Sequence, residues 1–233
     1  MTNQKLKVLG IDSALSACSA AVWNQTVAAS DFKLIPFRHV ETLAPMIRGV
    51  MEESALSFFE LDLIAVTVGP GSFTGLRTCL STAKGLGLAL KIPVHGVTTL
   101  EAVAFAAKRE YSHKINNHLA VVLETRRDDL YFQQFDETAT PQGNAMAKSI
   151  DEIVDILPKG QISLCGDGAN KLFAALPRSK YGDIQELKNL DSPNAVDVAQ
   201  IALKRMEKPL NAEPLYIHPP AAKPPENLRI IRS

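Results

Sequence analysis

Cysteine is scarce and placed without pattern. Cys18, Cys79 and Cys165 are odd in number, far apart and set in apolar runs with no CxxC. That excludes a disulfide framework and a zinc knuckle, and each thiol reads as a small buried hydrophobe. Net charge is missing as well: 25 Lys and Arg balance 25 Asp and Glu. A neutral chain has no global pull on nucleic acid, so any action on nucleic acid would run through a partner. No apolar stretch approaches the ~20 residues that span a membrane. Met1 to Lys5 lead straight into a strand-like run without the pattern of a signal peptide. The expectation is a cytoplasmic protein with no membrane contact. Catalytic signatures are absent too. His39, His95, His113, His118 and His218 form no HxxxH or HExxH pair, and no G-x-S-x-G elbow occurs. No metal site and no catalytic residue is assigned.

What is present is an ordinary globular composition, 46% hydrophobic and 21% charged over 233 residues, enough for one large domain or two small ones. Leu6 to Ile11, Ala17 to Trp23 and Val27 to Phe32 read as three strands in meander order. Val40 to Leu56 has helical spacing, with Pro45 tolerable in a first turn. Leu61 to Val68 reads as a central strand covered on both faces. The glycine-rich turn Gly69-Pro70-Gly71-Ser72 breaks it, and a helix follows from Phe73 to Leu90. Pro93 to Val97 reads as a strand and Leu100 to Lys108 as a helix, giving a mixed α/β order. After the polar linker His113 to His118, strands are expected at 119–123 and 130–135, with Arg126 to Asp129 as a solvated, charged hairpin tip. Ser149-Ile150-Asp151-Glu152 fits a capping box that opens a helix. A strand at 162–165 ends at Gly166-Asp167-Gly168, and a helix from Asn194 to Met206 can pack back on the first unit. The expected division is 1–110, 111–208 and a Pro-rich extended tail over 209–233.

The helix after the glycines carries the functional reading. At about 100° per residue, its charges Arg77, Lys84 and Lys91 share one narrow stripe. Gly75, Thr78, Thr82, Gly85 and Ala89 make a small-residue face, and Leu76, Leu80, Ala83, Gly87 and Leu90, flanked by Cys79 and Leu86, make an apolar one. Two nonpolar faces need two partners. One is the helix's own sheet; the other is either a second helix of this chain or another subunit. The preceding helix is also broadly apolar, through Leu43, Ile47 and Met51. The glycine turn itself matches neither G-x-G-x-x-G nor a Walker loop. Gly69, Gly71, Ser72 and Thr74 could cradle a phosphate at the helix N-terminus, or Ser72 or Thr74 could simply cap a tight structural turn. Asp12, where the first strand ends, could orient a metal or water, or cap a turn.

Gly69-Pro70-Gly71-Ser72-Phe73-Thr74-Gly75-Leu76-Arg77 following a buried strand resembles the signature of the TsaB (YeaZ) family, the accessory subunit of the bacterial machinery for threonylcarbamoyladenosine at tRNA position 37. Asp12-Ser13, His39-Val40-Glu41, Val97 to Ala102, Glu124 to Arg127 with Tyr131, and Gly166-Asp167-Gly168 agree with it. The resemblance implies an α/β, actin-like ATPase and sugar-kinase-like (ribonuclease H-like) fold of two related lobes, with mixed sheets flanked by helices. It implies no transferase activity in this chain. The catalytic paralogue, TsaD, holds a metal between two histidines of an HxxxH helix, whereas His39 here has Leu43 four residues on. By the same resemblance the two N-terminal-lobe helices dock on the equivalent helices of TsaD, through His39, Leu43, Ile47, Met51, Leu76, Thr78, Leu80, Thr82, Ala83, Gly85, Leu86 and Ala89. It further implies recruitment of the small ATPase TsaE, contact with tRNA only through the complex, and no cofactor of its own beyond ATP or ADP at the complex interface. A homodimer through the same helices is the alternative for the isolated chain. An actin-like ATPase or metallopeptidase-like enzyme acting alone is the alternative function.

Overall fold

The structure, a computed structural model, describes residues 6–35, 39–113, 115, 118–177, 181 and 183–218. The first lobe runs β1 (Lys7–Asp12), β2 (Ala17–Asn24), β3 (Thr26–Leu34), α1 (His39–Glu53), β4 (Leu63–Gly69), α2 (Phe73–Leu90), β5 (Val94–Thr98) and α3 (Thr99–Tyr111). The second runs β6 (His118–Glu124), β7 (Leu130–Asp136), β8 (Met146–Lys148), α4 (Ile150–Ile156), β9 (Ile162–Cys165), α5 (Ala169–Ala175), β10 (Ile184–Glu186) and α6 (Ala195–Lys204). β11 (Leu210–Asn211) returns antiparallel to the β5 edge.

The lobes share one topology. The first sheet is ordered β11-β5-β4-β1-β2-β3 and the second β10-β9-β6-β7-β8. In each, the opening three strands form an antiparallel meander, and the next two join parallel to the first. This is the ribonuclease H-like order, used twice. Central strands of both sheets are apolar on both faces: Leu63 to Gly69 is buried throughout, as is Leu119 to Leu123.

The closing helix of each lobe crosses to the middle of the molecule. Leu100, Val103, Ala104 and Ala107 of α3 pack on Leu119, Val121, Leu123 and Phe135 of the second sheet. Val198, Ala199 and Ala202 of α6 pack on Val8, Leu63 and Ala65 of the first, beside Ala102 of α3. Arg109 of α3 donates to both carboxylate oxygens of Asp197 on α6, at 2.8 and 3.0 Å. Burial pushes the Asp197 carboxyl above its ordinary range, although the Arg109 guanidinium pulls it down. Outside this middle layer, α1 and α2 cover the far face of the first sheet, and α4 and α5 that of the second. The expected boundary at 110/111 therefore falls at the end of a helix that serves both sheets.

Several elements differ in detail from expectation. α1 begins at His39, so Pro45 lies inside it rather than in its first turn, and the N–H that proline lacks leaves an inner bond unmade. The helix stops at Glu53 rather than Leu56, because the chain turns left-handed at Ala55, φ 55°. β4 begins at Leu63 because the backbone N–H of Asp62 is given to Lys7 O, and its carboxylate accepts the Lys7 N–H. Asn194 is not the first residue of α6 but its cap, its Oδ1 accepting the Val196 N–H at 2.9 Å. The Ser149 capping box forms as read from sequence, and the structure adds one at Thr98 and Glu101 that the sequence reading did not name. The expected tail over 209–233 splits. Residues 209–218 cross the surface, with Leu215 N–H bonded to Val68 O at 2.7 Å, and 219–233 lie outside the described residues. All three cysteines are free and buried.

The docking of α6 depends on a missing side chain. A Cβ on Gly10, mid-β1, would sit 2.1 Å from Ala195 O at the start of α6. Gly10→Ala is expected to lower stability by about 1–3 kcal/mol through overpacking. Gly49→Ala, in α1 with no atom within 4 Å of the added Cβ, should raise it by about 1 kcal/mol. Urea unfolding midpoints of the two variants, read against the wild type, check both signs.

Candidate functional site

Two places in the fold qualify as sites: the turn cluster where the lobes meet, and the outer face of α1 and α2. In the first, two turns lock together backbone to backbone. A Cβ on Gly71 would meet Ala14 O at 2.4 Å, and one on Gly75 would meet Ser13 O at 2.0 Å. Ser72 N–H is given to Ala14 O at 2.7 Å, and Ser13 Oγ–H to Gly75 O at 2.8 Å. Ser72 caps α2, its Oγ accepting the Gly75 N–H. Thr74 lies exposed, its carbonyl accepting from Thr78 Oγ1 at 2.8 Å. Gly69, at φ 111°, is backed by Leu215 O of the returning tail. The glycines thus serve close approach within the chain, and the Ser72 and Gly75 N–H groups point to its own oxygens.

Asp12 sits beneath this lock, fully buried. Its Oδ1 accepts from Thr67 Oγ1 at 2.6 Å and Ala14 N–H at 3.0 Å, while Oδ2 has no partner among the described residues. Burial pushes the carboxyl up to about 7, against the pull of those two hydrogen bonds. Burial likewise raises the neighbouring thiols of Cys18 and Cys79 to about 12. Among the described residues, no three His, Cys, Asp or Glu side chains converge on one point.

Between the lobes lies a cleft of about 410 Å³, lined by Ser16, Ser72, Thr125, Arg126, Arg127 and Asp167 among others. The hairpin tip expected to be merely solvated is tied down: Thr125 Oγ1 donates to Asp129, and Asp129 Oδ2 lies 2.7 Å from His218 Nε2 of the tail. Burial opposes ionisation of Asp129, but the bonds from Thr125 and His218 hold its carboxyl below the usual range. Asp167 accepts the Glu124 N–H at 2.8 Å. Burial, with the nearby Glu124 and Asp191 charges, lifts Asp167 to about 6. Gly166 and Gly168 repeat the Gly69-x-Gly71 turn at the equivalent place of the second lobe, and a Cβ on Gly166 would meet Val122 O at 2.1 Å. The shared G-x-G spacing after a buried strand was the sequence signal for the duplication.

The helix face divides more sharply than its periodicity does. His39, Leu43, Ile47, Met51, Leu76, Leu80 and Ala83 are buried within this chain. Leu43, Ile47, Met51, Leu80 and Ala83 pack in the chain's own core with residues of β1, β2 and β4. Burial also holds the His39 imidazole below its ordinary range, and its Nδ1 has no partner among the described residues. Thr78, Thr82 and Leu86 are partly exposed, and Gly85 and Ala89 are exposed. The small-residue stripe is therefore the outer face, apart from Gly75. Three further apolar side chains of α1 and α2, not assigned a role from sequence, are exposed: Val40, Phe73 and Leu88, at 62%, 53% and 83%. Leu88 falls on the charged stripe, four residues after Lys84 and three before Lys91, and that position was the available signal. Arg77 lies over the Phe73 ring at 3.9 Å, and Tyr216 stacks beside it.

The Asp12 geometry sets a pH dependence. The folded chain keeps this proton up to about pH 7, whereas the free carboxyl loses it near 3.8. The unfolded state thus binds fewer protons across that window, and this group lowers stability as pH rises, by about 1.4 kcal/mol per unit, levelling above it. Asp12→Asn should remove that slope, so that the stability difference between variant and wild type grows from pH 4 to 7. Chemical denaturation at four pH values measures it; a constant difference would contradict it.

Comparison with known proteins supplies the identity. The sequence model described as "TsaD: tRNA N6-adenosine threonylcarbamoyltransferase" matches residues 35–204. The tRNA threonylcarbamoyladenosine biosynthesis protein TsaB of Escherichia coli (strain K12) is 32% identical over 130 residues, 56% of this chain and 55% of that one, so the aligned stretch spans about half the relative. TsaB of Buchnera aphidicola subsp. Schizaphis graminum is 28% identical over 210 residues, covering 87% and 95%. The structure of YeaZ from Pseudomonas aeruginosa superposes with a TM-score of 0.77 at 25% identity, over 91% of this chain and 99% of that one. A TsaD-type domain, sequence relatives named TsaB and the fold of YeaZ coincide here, and this chain belongs to the TsaB (YeaZ) family.

Proposed function

We propose that this chain acts in tRNA threonylcarbamoyladenosine biosynthesis as a non-catalytic scaffold. In this reading it binds and stabilises the catalytic transferase paralogue TsaD, which transfers the threonylcarbamoyl group to N6 of adenosine 37. The small ATPase TsaE is recruited to the pair, and tRNA is met only through the complex. ATP or ADP, where required, is held at the complex interface rather than by this chain alone.

The observation that carries the proposal is the outer face of α1 and α2. Gly85, Ala89, Thr78 and Thr82 leave a shallow floor where another helix backbone can approach closely, and Val40 of α1 and Leu88 of α2 are exposed as well. Solvent-facing apolar groups of this size on two adjacent helices suit a helix-on-helix contact. Arg77, Lys84 and Lys91 on one edge, with no acidic residue in α2, favour a partner helix that carries carboxylates. Support for a non-catalytic role comes from the turn cluster: Asp12 is sealed from solvent, and the glycine turn is packed on the chain's own carbonyls.

Gly85→Arg is the discriminating variant, because a Cβ there meets no atom within 4 Å and the side chain can project outward without disturbing the fold. It is expected to abolish co-purification with co-expressed TsaD, at least a roughly 100-fold loss of affinity by obstruction of a close-packed centre, with an unchanged thermal midpoint. Leu80→Arg is unsuitable: Leu80 is 5% exposed, and a charge there would unfold the lobe by several kcal/mol. Undiminished capture of TsaD by Gly85→Arg would count against the scaffold reading. ATP turnover by the isolated chain that is lost in Asp12→Asn would favour an enzyme instead.

A further inference from the structure

β3 is the outer strand of the six-stranded sheet, and among the described residues no strand lies beyond it. It is long for an edge, nine residues, and such an edge offers a row of unpaired backbone groups. Its polarity can be read from one bond. Ile35 N–H is given to Ser16 O at 2.8 Å, toward β2. In an antiparallel ladder the bonding direction alternates residue by residue. Ala29, Asp31 and Lys33 therefore direct their backbone groups to β2, while Ser30, Phe32 and Leu34 direct theirs to the open edge. The irregularity of the β2–β3 ladder lies at Val22/Trp23, away from this segment. Phe32 and Leu34 are also exposed in their side chains, at 42% and 70%. Asp31 and Lys33 flank Phe32 and pair with each other at 2.8 Å.

That order is self-complementary. We propose that β3 is a self-association edge, on which a second copy of this chain adds its own β3 antiparallel about a two-fold axis through Phe32. In this register Phe32 faces Phe32 of the copy as a hydrogen-bonded pair, and Ser30 faces Leu34. Each outward N–H and C=O from 30 to 34 then finds its counterpart. Asp31 falls opposite Lys33 and Lys33 opposite Asp31, so the intrachain ion pair is exchanged for two cross-strand ones. The Phe32 rings form the aromatic cross-strand pair at the centre. An isologous contact of this kind closes on itself, so it makes dimers and not fibres. The surface lies in the plane of the sheet, whereas α1 and α2 lie on its face. The inference is independent of the proposed function, and a dimer through β3 leaves the helix face open for a different partner.

The test is sedimentation of the full chain over a concentration series. The wild type should show a reversible monomer–dimer equilibrium. Asp31→Lys and Lys33→Asp each place like charges opposite in both symmetry-related pairs, and each should raise the dimer dissociation constant by roughly 10- to 100-fold. Mixing the two variants sets a copy with two cations at positions 31 and 33 against a copy with two carboxylates there. Opposite charges then face each other in both pairs, and dimerisation should return to near the wild-type constant. Phe32→Pro removes an outward N–H and the aromatic ring, leaves the inward bonds of Asp31 and Lys33 to β2 in place, and should give a folded monomer, checked by circular dichroism. A wild type monomeric up to about 1 mM would overturn the proposal. So would a dimer indifferent to Asp31→Lys, a variant mixture that stays monomeric, or a dimer abolished by Gly85→Arg, which would put the contact on the helices.

Discussion

The lock between the Asp12–Ser16 turn and the start of α2 is the contact on which the remaining geometry depends. Gly71 and Gly75 let two carbonyls come where a Cβ would otherwise stand, and Ser13 and Ser72 fasten the approach with hydrogen bonds. This fixes where α2 starts and the direction in which it leaves the sheet. Leu76, Cys79, Leu80 and Ala83 are then turned onto β1 and β4, and Gly85, Leu88 and Ala89 are turned out. A nucleotide-binding turn would aim its N–H groups at a ligand; here two of them are aimed at the protein. The turn's glycines and the helix's outer face are thus cause and consequence.

The second organising constraint is the exchange of closing helices. Each lobe alone would leave one sheet face uncovered. α6 covers the first sheet and α3 the second, and the Arg109–Asp197 pair ties the two helices together. The tail completes the closure. It lies on Gly96 and Gly69, where a Cβ would meet Asn211 O and Leu215 O, and reaches the second lobe through His218 and Asp129. The cleft between the lobes is therefore bounded by five segments distant in sequence, at 15–16, 71–73, 124–131, 167 and 216–218.

Sequence periodicity revealed whatever repeats its pattern over several turns. α2 was legible because its burial follows 3.6-residue spacing, β1 and β2 because they are near-continuous apolar runs buried on both faces, and the Ser149 box because a cap is a local arrangement. β8, β10 and β11 were not, since strands of three, three and two residues form only where a sheet edge receives them. Duplication of the lobes came from the family resemblance and not from residue identity, because the two share a hydrogen-bond order; in the residues only Gly69-x-Gly71 and Gly166-x-Gly168 echo it. The faces of α2 were half legible. An apolar stripe states that something will cover it, not whether that is the chain itself. Leu76 and Leu80 went to the core, and Leu88, sitting among lysines, was passed over.

If the glycine turn holds α2 so that its outer face receives the transferase paralogue, binding must quiet that helix before any other part of the chain. Hydrogen exchange of the full chain, alone and with TsaD, reads this out directly. Added protection should be concentrated in α1 and α2, with α4 and α5 unchanged. Protection confined to the interlobe cleft or the second lobe, with α2 exchanging as in the free chain, would contradict it.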